Sequence, residues 1–173
     1  MIVDLSHVSL ETMHDAIFHS HAPVIFSHSS AYSVNPHPRN VPDSVLTKLR
    51  QTDGLVMINF YKQFISGSRN CTVDHVVDHV LHVARVAGWD HVGLGADFNG
   101  IDAKCVGLED SSSYPNLVAA ILRREVGVGE REIRGLLREN LLRVWGKVEE
   151  VRESLRGTKP SEKIWDGRKM GIY

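Results

Sequence analysis

The chain has 173 residues, 42% of them hydrophobic, which suits one domain with a sizeable core. With 20 Lys+Arg against 21 Asp+Glu the formal net charge is −1, which excludes a charge-driven surface for nucleic acid or anionic membrane. No apolar run approaches the roughly 18 residues of a membrane span, and two cysteines, Cys71 and Cys105, exclude a disulfide-dense scaffold while leaving one disulfide or two free thiols open.

The chain opens on an apolar strand over residues 2–6 of Ile2-Val3-Asp4-Leu5-Ser6-His7, with no charged segment before it of the kind that starts a secretory signal. Ser9 caps a helix over about 10–20, with Glu11 near its positive end. Val24-Ile25-Phe26 is the second strand. Residues 29–42, with Pro36, Pro38 and Pro42, form a loop, and Pro42 suits the first turn of a helix carrying Val45, Leu46 and Leu49. Leu55 to Phe60 is the third strand and 61–71 a loop. Val73, Val76, Val77, Val80, Ala84 and Ala87 make a helical stripe that Gly88 ends. His91 to Ala96 is the fourth strand, followed by a loop to Ser112. Three helices close the pattern: one after Pro115, one with Ile133, Leu136 and Leu137, and one over about 140–155. Residues 156–173 read as a polar tail, leaving 1–155 as the folded unit.

Strands apolar on both faces, alternating with helices, indicate an α/β fold with a parallel sheet covered on both sides. Four such strands amount to half of a (β/α)₈ TIM barrel, or to a small open doubly wound sheet. In both architectures function gathers at the C-terminal ends of the strands. His7 follows the first strand, His28 the second and Asp97 the fourth, so all three point into one mouth. Adjacent parallel strands lie about 5 Å apart, which lets two imidazoles reach one metal ion. Arg39, in the loop after the second strand, is placed to hold a carboxylate.

The other histidines carry less. His75, His79 and His82 read as one solvated helix face, as do His14, His19 and His21 on or near the first helix. His91 reads as structural, and His37 has no inferable role. Ser27, Ser29 and Ser30 flank His28, but no Gly-x-Ser-x-Gly elbow marks a nucleophile. Gly93 and Gly95 allow close backbone approach without making a dinucleotide fingerprint.

Several segments together resemble the membrane (renal) dipeptidase family of zinc peptidases. They are Asp4-Leu5-Ser6-His7-Val8-Ser9, Ala22 to Tyr32, Arg39-Asn40-Val41-Pro42-Asp43, Met57 to Tyr61, Val92 to Gly100, Gly107-Leu108-Glu109-Asp110 and Asn140 to Val144. The likeness runs in order over about residues 2–150.

The resemblance implies a (β/α)₈ barrel with two zinc ions bridged by a Glu and a hydroxide, and hydrolysis of dipeptides. It makes His7 and His28 zinc ligands, Arg39 the partner of the substrate's terminal carboxylate, and Asp97 both the catalytic proton carrier and a substrate contact. The first-zinc ligands and the bridging Glu of the family have no counterpart here. The resemblance is therefore to the C-terminal half of a dipeptidase, with one partial zinc site. Mammalian members also carry cysteines at the positions of Asn35 and Gly67. The implied partners are a dipeptide substrate and a second half-barrel, either a copy of this chain or an N-terminal half. A catalytically inactive half-barrel and another metal-dependent amidohydrolase are the alternatives. Family members are often secreted or membrane-anchored, and these residues assign no compartment.

Overall fold

The structure is a computed structural model that describes residues 1–67 and 70–163. A parallel sheet has the order β1 (Ile25–Phe26), β2 (Leu55–Ile58), β3 (Val92–Leu94). Ile25 pairs with Leu55 and Phe26 with Val56, while Val56, Met57 and Ile58 pair with Val92, Gly93 and Leu94. The α/β class and the parallel sheet are as expected, but the sheet has three strands among the described residues where four were expected.

Residues 2–6 contribute one parallel bridge, Asp4 to Ile25. It is held by Leu5 N donating to Ile25 O (2.8 Å) and Ile25 N donating to Val3 O (3.0 Å). The reason for its shortness is local. Ser6 N turns back onto Asp4 Oδ1 (3.0 Å) and His7 adopts a left-handed φ of 76°, which ends the extended run.

Side chains alternate across the sheet. Phe26, Val56, Ile58 and Val92 join the main core, which also takes in α2 (Asp43–Gln51), α4 (Val73–Ala87) and α5 (Tyr114–Arg124). Ile25, Leu55 and Met57 on the other face meet Leu141, Val144 and Val148 of α7 (Asn140–Ser154). α1 (Leu10–His19) starts as expected, with Ser9 Oγ accepting from Thr12 N at 3.3 Å. A short α3 (Lys62–Ile65) interrupts the expected loop, and Gly88 at φ 101° stops α4.

The expected helix around Ile133 is α6 (Glu130–Arg134), joined to α7 by a π-helical turn over Gly135–Glu139. Beyond that turn Asn140 donates to Trp89 O (2.7 Å) and Val92 O (2.8 Å). Arg143 donates to Asp53 O (2.9 Å) and Asp90 O (2.8 Å). These bonds fasten α7 to the segments that enter β2 and β3, leaving the opposite strand ends for a site. No helix among the described residues is long and apolar enough to cross a membrane.

Cys71 and Cys105 form a disulfide across 34 residues, which settles the open alternative of two free thiols. It staples the segment before α4 to the loop after β3, beside the bridges Thr72–Val106 and Tyr61–Lys104. Asn35 is tied without a covalent bond: its Nδ2 donates to Gln63 O (2.9 Å) and Phe64 O (3.0 Å) at the end of α3. α7 ends at Ser154. Residues 156–163 of the expected tail are exposed, and its remainder, 164–173, lies outside the described residues.

Candidate active site at the strand ends

His7 leaves the Asp4 bridge, His28 leaves β1 and Asp97 leaves β3 three residues past its end, so the three meet at one end of the sheet. His7 Nε2 and His28 Nε2 are 2.8 Å apart, with ring centroids at 4.8 Å and planes at 51°. Asp97 Oδ2 lies 3.9 Å from His28 Nε2. His7 and Asp97 both have left-handed backbones, at φ 76° and 62°. Such conformations at two non-glycine residues of one cluster mark a site whose geometry the surrounding fold imposes.

A dense polar lattice fixes the two histidine segments. Asp4 Oδ1 accepts from Ser6 N and from Ser27 N (both 3.0 Å), and Asp4 Oδ2 accepts from Ser27 Oγ (2.6 Å). Burial works to raise the Asp4 carboxyl, but the Ser27 and Ser6 hydrogen bonds outweigh it and hold the group below its ordinary value. Ser27 Oγ is also 2.7 Å from His28 Nδ1. Ser6 Oγ accepts from His28 N (3.0 Å) and meets Ser29 Oγ at 3.2 Å. Gly95 makes this approach feasible: a Cβ there would lie 1.8 Å from Ser27 O. Ser27 thus stands between an aspartate and a histidine. That is not the order of a nucleophilic triad, in which the histidine stands in the middle.

Burial, and then the positive charges of Arg39 and His28, pull the His7 imidazole below its ordinary value, which favours the neutral, ligating form. Arg39 lies across the cluster. Its guanidinium sits 5.1 Å over the Phe64 ring, and its Nε and Nη2 are buried without a hydrogen-bond partner. Buried donors without partners are costly, and here they border a cavity of about 670 Å³ that His7, Tyr32 and Asn40 also line. A second cavity of about 470 Å³ is lined by His28 together with Asp97, Phe98, Asn99 and Tyr114. The expected set therefore lines two hollows, His7 and Arg39 one, His28 and Asp97 the other, and the His7–His28 contact joins their walls.

The donor set suits a metal ion in part. Two imidazole nitrogens converge with a carboxylate beside them, which is the donor chemistry of zinc. Among the described residues no group of three or more His, Cys, Asp or Glu side chains is arranged to hold a metal.

The reading of His75, His79 and His82 as a solvated face is corrected. His79 is fully buried, accepting from Ala31 N at Nδ1 (2.9 Å) and donating from Nε2 to Ile65 O (2.8 Å). His75 contacts the Thr72 cap, and His82 pairs with Asp43 Oδ1 (2.7 Å). The helix is buried on more than one side because the loop after β1 packs over it, which one-dimensional periodicity does not reveal. His91 is structural, as read, with Nδ1 on Gly54 O (2.9 Å). Sequence reasoning missed Asp4, and weighed Ser27 only as a nucleophile rather than as the link between Asp4 and His28. The signal available was their spacing, three residues before His7 and one before His28.

A family model described as membrane dipeptidase (peptidase family M19) matches residues 1–159. Two uncharacterized dipeptidases of Schizosaccharomyces pombe are 51% identical over 176 residues and 50% identical over 157. These alignments take in 100% and 90% of this chain but only 42% and 38% of those proteins. A Rhodobacter sphaeroides metallopeptidase, solved with a phosphinate mimic of the dipeptide L-Ala-D-Ala, is similar at 33% identity and TM-score 0.76. The match covers 83% of this chain and 41% of that one. An amidohydrolase from Pseudomonas aeruginosa is similar at 27% identity and TM-score 0.78, over 86% of this chain and 52% of that one.

Proposed function

The chain belongs to the membrane dipeptidase family, peptidase family M19, and on that footing we propose that it serves a zinc-dependent dipeptidase, with His7, His28, Arg39 and Asp97 as its part of the active site. The observation that carries the reading is the 2.8 Å convergence of two imidazole nitrogens beside the Asp97 carboxylate, with the buried Nε and Nη2 of Arg39 left without partners.

In this reading His7 and His28 hold one zinc ion. When bound, zinc supplies an acidified water and polarisation of the scissile carbonyl. Arg39 binds the substrate's terminal carboxylate, which gives its buried Nε and Nη2 the acceptors they lack. Asp97, within 3.9 Å of His28, takes a proton at Oδ2 and passes it to the leaving amine, and contacts the substrate's amino group. The cavity lined by His7 and Arg39 and the one lined by His28 and Asp97 receive the two halves of a dipeptide.

Residues 1–155 form a partial (β/α)₈ barrel in this reading, with 156–173 as its tail. The sheet ends on the Asp4 bridge and on β3, and further strands, from a longer polypeptide or a second copy, would continue it. They would also bring the remaining metal ligands, since a catalytic zinc takes about three protein ligands. The same ligand count favours a second reading, an inert half-barrel that binds zinc weakly by itself.

The test is zinc titration of the purified chain, followed by assays on free, N-acetylated and C-amidated dipeptides with chelator as control. Zinc binding lost in His28→Ala and chelator-sensitive hydrolysis of free dipeptides support the proposal. Zinc binding unchanged in His28→Ala overturns the ligand assignment. Hydrolysis that ignores chelator overturns metal dependence, folded zinc-loaded protein without activity selects the inert half-barrel, and equal use of blocked substrates points to a broader amidohydrolase.

A further inference from the structure

We propose that Asp4 and Ser27 are positioning residues that select the tautomer of His28 by a directed relay, placing the ring proton on Nδ1 and the lone pair on Nε2. The inference rests on the reading of His28 as a metal ligand, because the nitrogen that faces His7 is Nε2 and it ligates only when it carries no proton.

Proton accounting carries the argument. Asp4 Oδ1 is occupied by two main-chain N–H groups, those of Ser6 and Ser27, which can only donate. The carboxylate is thereby oriented with Oδ2 on Ser27 Oγ at 2.6 Å, and the single hydroxyl proton of Ser27 is committed to it. Towards His28 Nδ1, 2.7 Å away, Ser27 therefore offers only a lone pair, so Nδ1 must donate. A neutral imidazole carries one ring proton, which leaves Nε2 bare towards His7. In the metal-free chain His7 Nε2 donates across that 2.8 Å contact. Outer partners of this kind tune metal affinity by fixing ring orientation and basicity. Ser6 is separate: it holds the His28 main chain and not the ring.

The experiment reads the histidine tautomer in the metal-free full chain by long-range ¹H–¹⁵N spectra, and zinc affinity by competition with a chromogenic chelator. His28 in wild type should show Nδ1–H. Asp4→Asn should invert it: the main-chain donors keep the amide oxygen, the amide nitrogen then donates to Ser27 Oγ, and the Ser27 hydroxyl turns to donate to His28 Nδ1, which leaves the ring proton on Nε2. Zinc affinity should fall about ten- to a hundredfold in Asp4→Asn and Ser27→Ala. Ser27→Thr should restore both readouts, and Ser6→Ala should leave the tautomer unchanged. An Nε2–H tautomer in wild type, or an Asp4→Asn variant with an unaltered tautomer, overturns the relay. An inverted tautomer with unchanged zinc affinity overturns its role in metal binding. His28→Ala tests the ligand reading by itself: unchanged zinc affinity there refutes that reading, while the His28 tautomer of wild type and Asp4→Asn still reports on the relay.

Discussion

His7 and His28 stand 21 residues apart in sequence, yet their Nε2 atoms are 2.8 Å apart. Neither ring is deeply buried, so packing alone does not place them. Their segments are aligned by the parallel Asp4–Ile25 bridge and locked by the serine hydroxyls and the Asp4 carboxylate. Four predictions follow from how this arrangement and its surroundings are held.

Gly95 is the close neighbour of the His28 segment, and a methyl there would meet Ser27 O at 1.8 Å. Gly95→Ala must push the two backbones apart, at a cost of about 1–3 kcal/mol in stability. Zinc affinity should fall with it, since His28 moves with Ser27. Thermal unfolding and zinc titration check both; an unchanged affinity in a destabilised protein would show that the histidines follow their rings' partners and not the main chain.

Arg39 presents buried donors without acceptors. Arg39→Met keeps much of the side-chain volume and removes them, so stability should rise by about 1 kcal/mol. In the proposed dipeptidase, the same change should lower kcat/KM for free dipeptides about a hundredfold or more, chiefly through KM, and Arg39→Lys should recover only part because it lacks the planar fork. Denaturant melts beside steady-state kinetics test this pairing of gained stability with lost binding.

His79 links Ala31 N to Ile65 O in the core, and burial pushes its imidazole down to about 4. Its folded value lies below the unfolded 6.5, so the unfolded chain binds the proton first. The resulting stabilisation is complete above about pH 6.5 and is lost as pH falls towards 4, by an order-of-magnitude 3 kcal/mol. Urea melts across that window should show the slope, and His79→Gln should flatten it.

The Cys71–Cys105 bond closes a loop of 34 residues. Loop-closure entropy assigns it about 4 kcal/mol. The double substitution Cys71→Ser with Cys105→Ser should therefore lower the unfolding free energy by up to that amount, read in chemical denaturation. The loop carrying Asp97 should exchange amide hydrogens faster when the staple is gone.

The sequence by itself determined the element order and the gathering of the site. Apolar runs at 24–26 and 55–58, separated by helical stripes, dictate parallel strands with crossovers, and parallel strands put the residues that follow them at one end of the sheet. That is why the sequence alone places His7, His28 and Asp97 together, and why its segments resemble the family. The rest depended on contacts between segments far apart in the chain. The first strand shrank to a bridge because Ser6 turns back onto Asp4 and His7 adopts a left-handed backbone, and no apolar pattern encodes that turn. His79 went from an exposed helix face to the core because a loop 48 residues earlier lies over it. Cys71 and Cys105 were equally compatible with thiols until the two loops met. The Asp4–Ser27–His28 relay likewise exists only once β1 lies beside residues 3–5, since a hydrogen bond needs its atoms within about 3 Å. Residue type and spacing set which groups reach one end of a sheet; only the folded backbone decides which way a proton is shared between them.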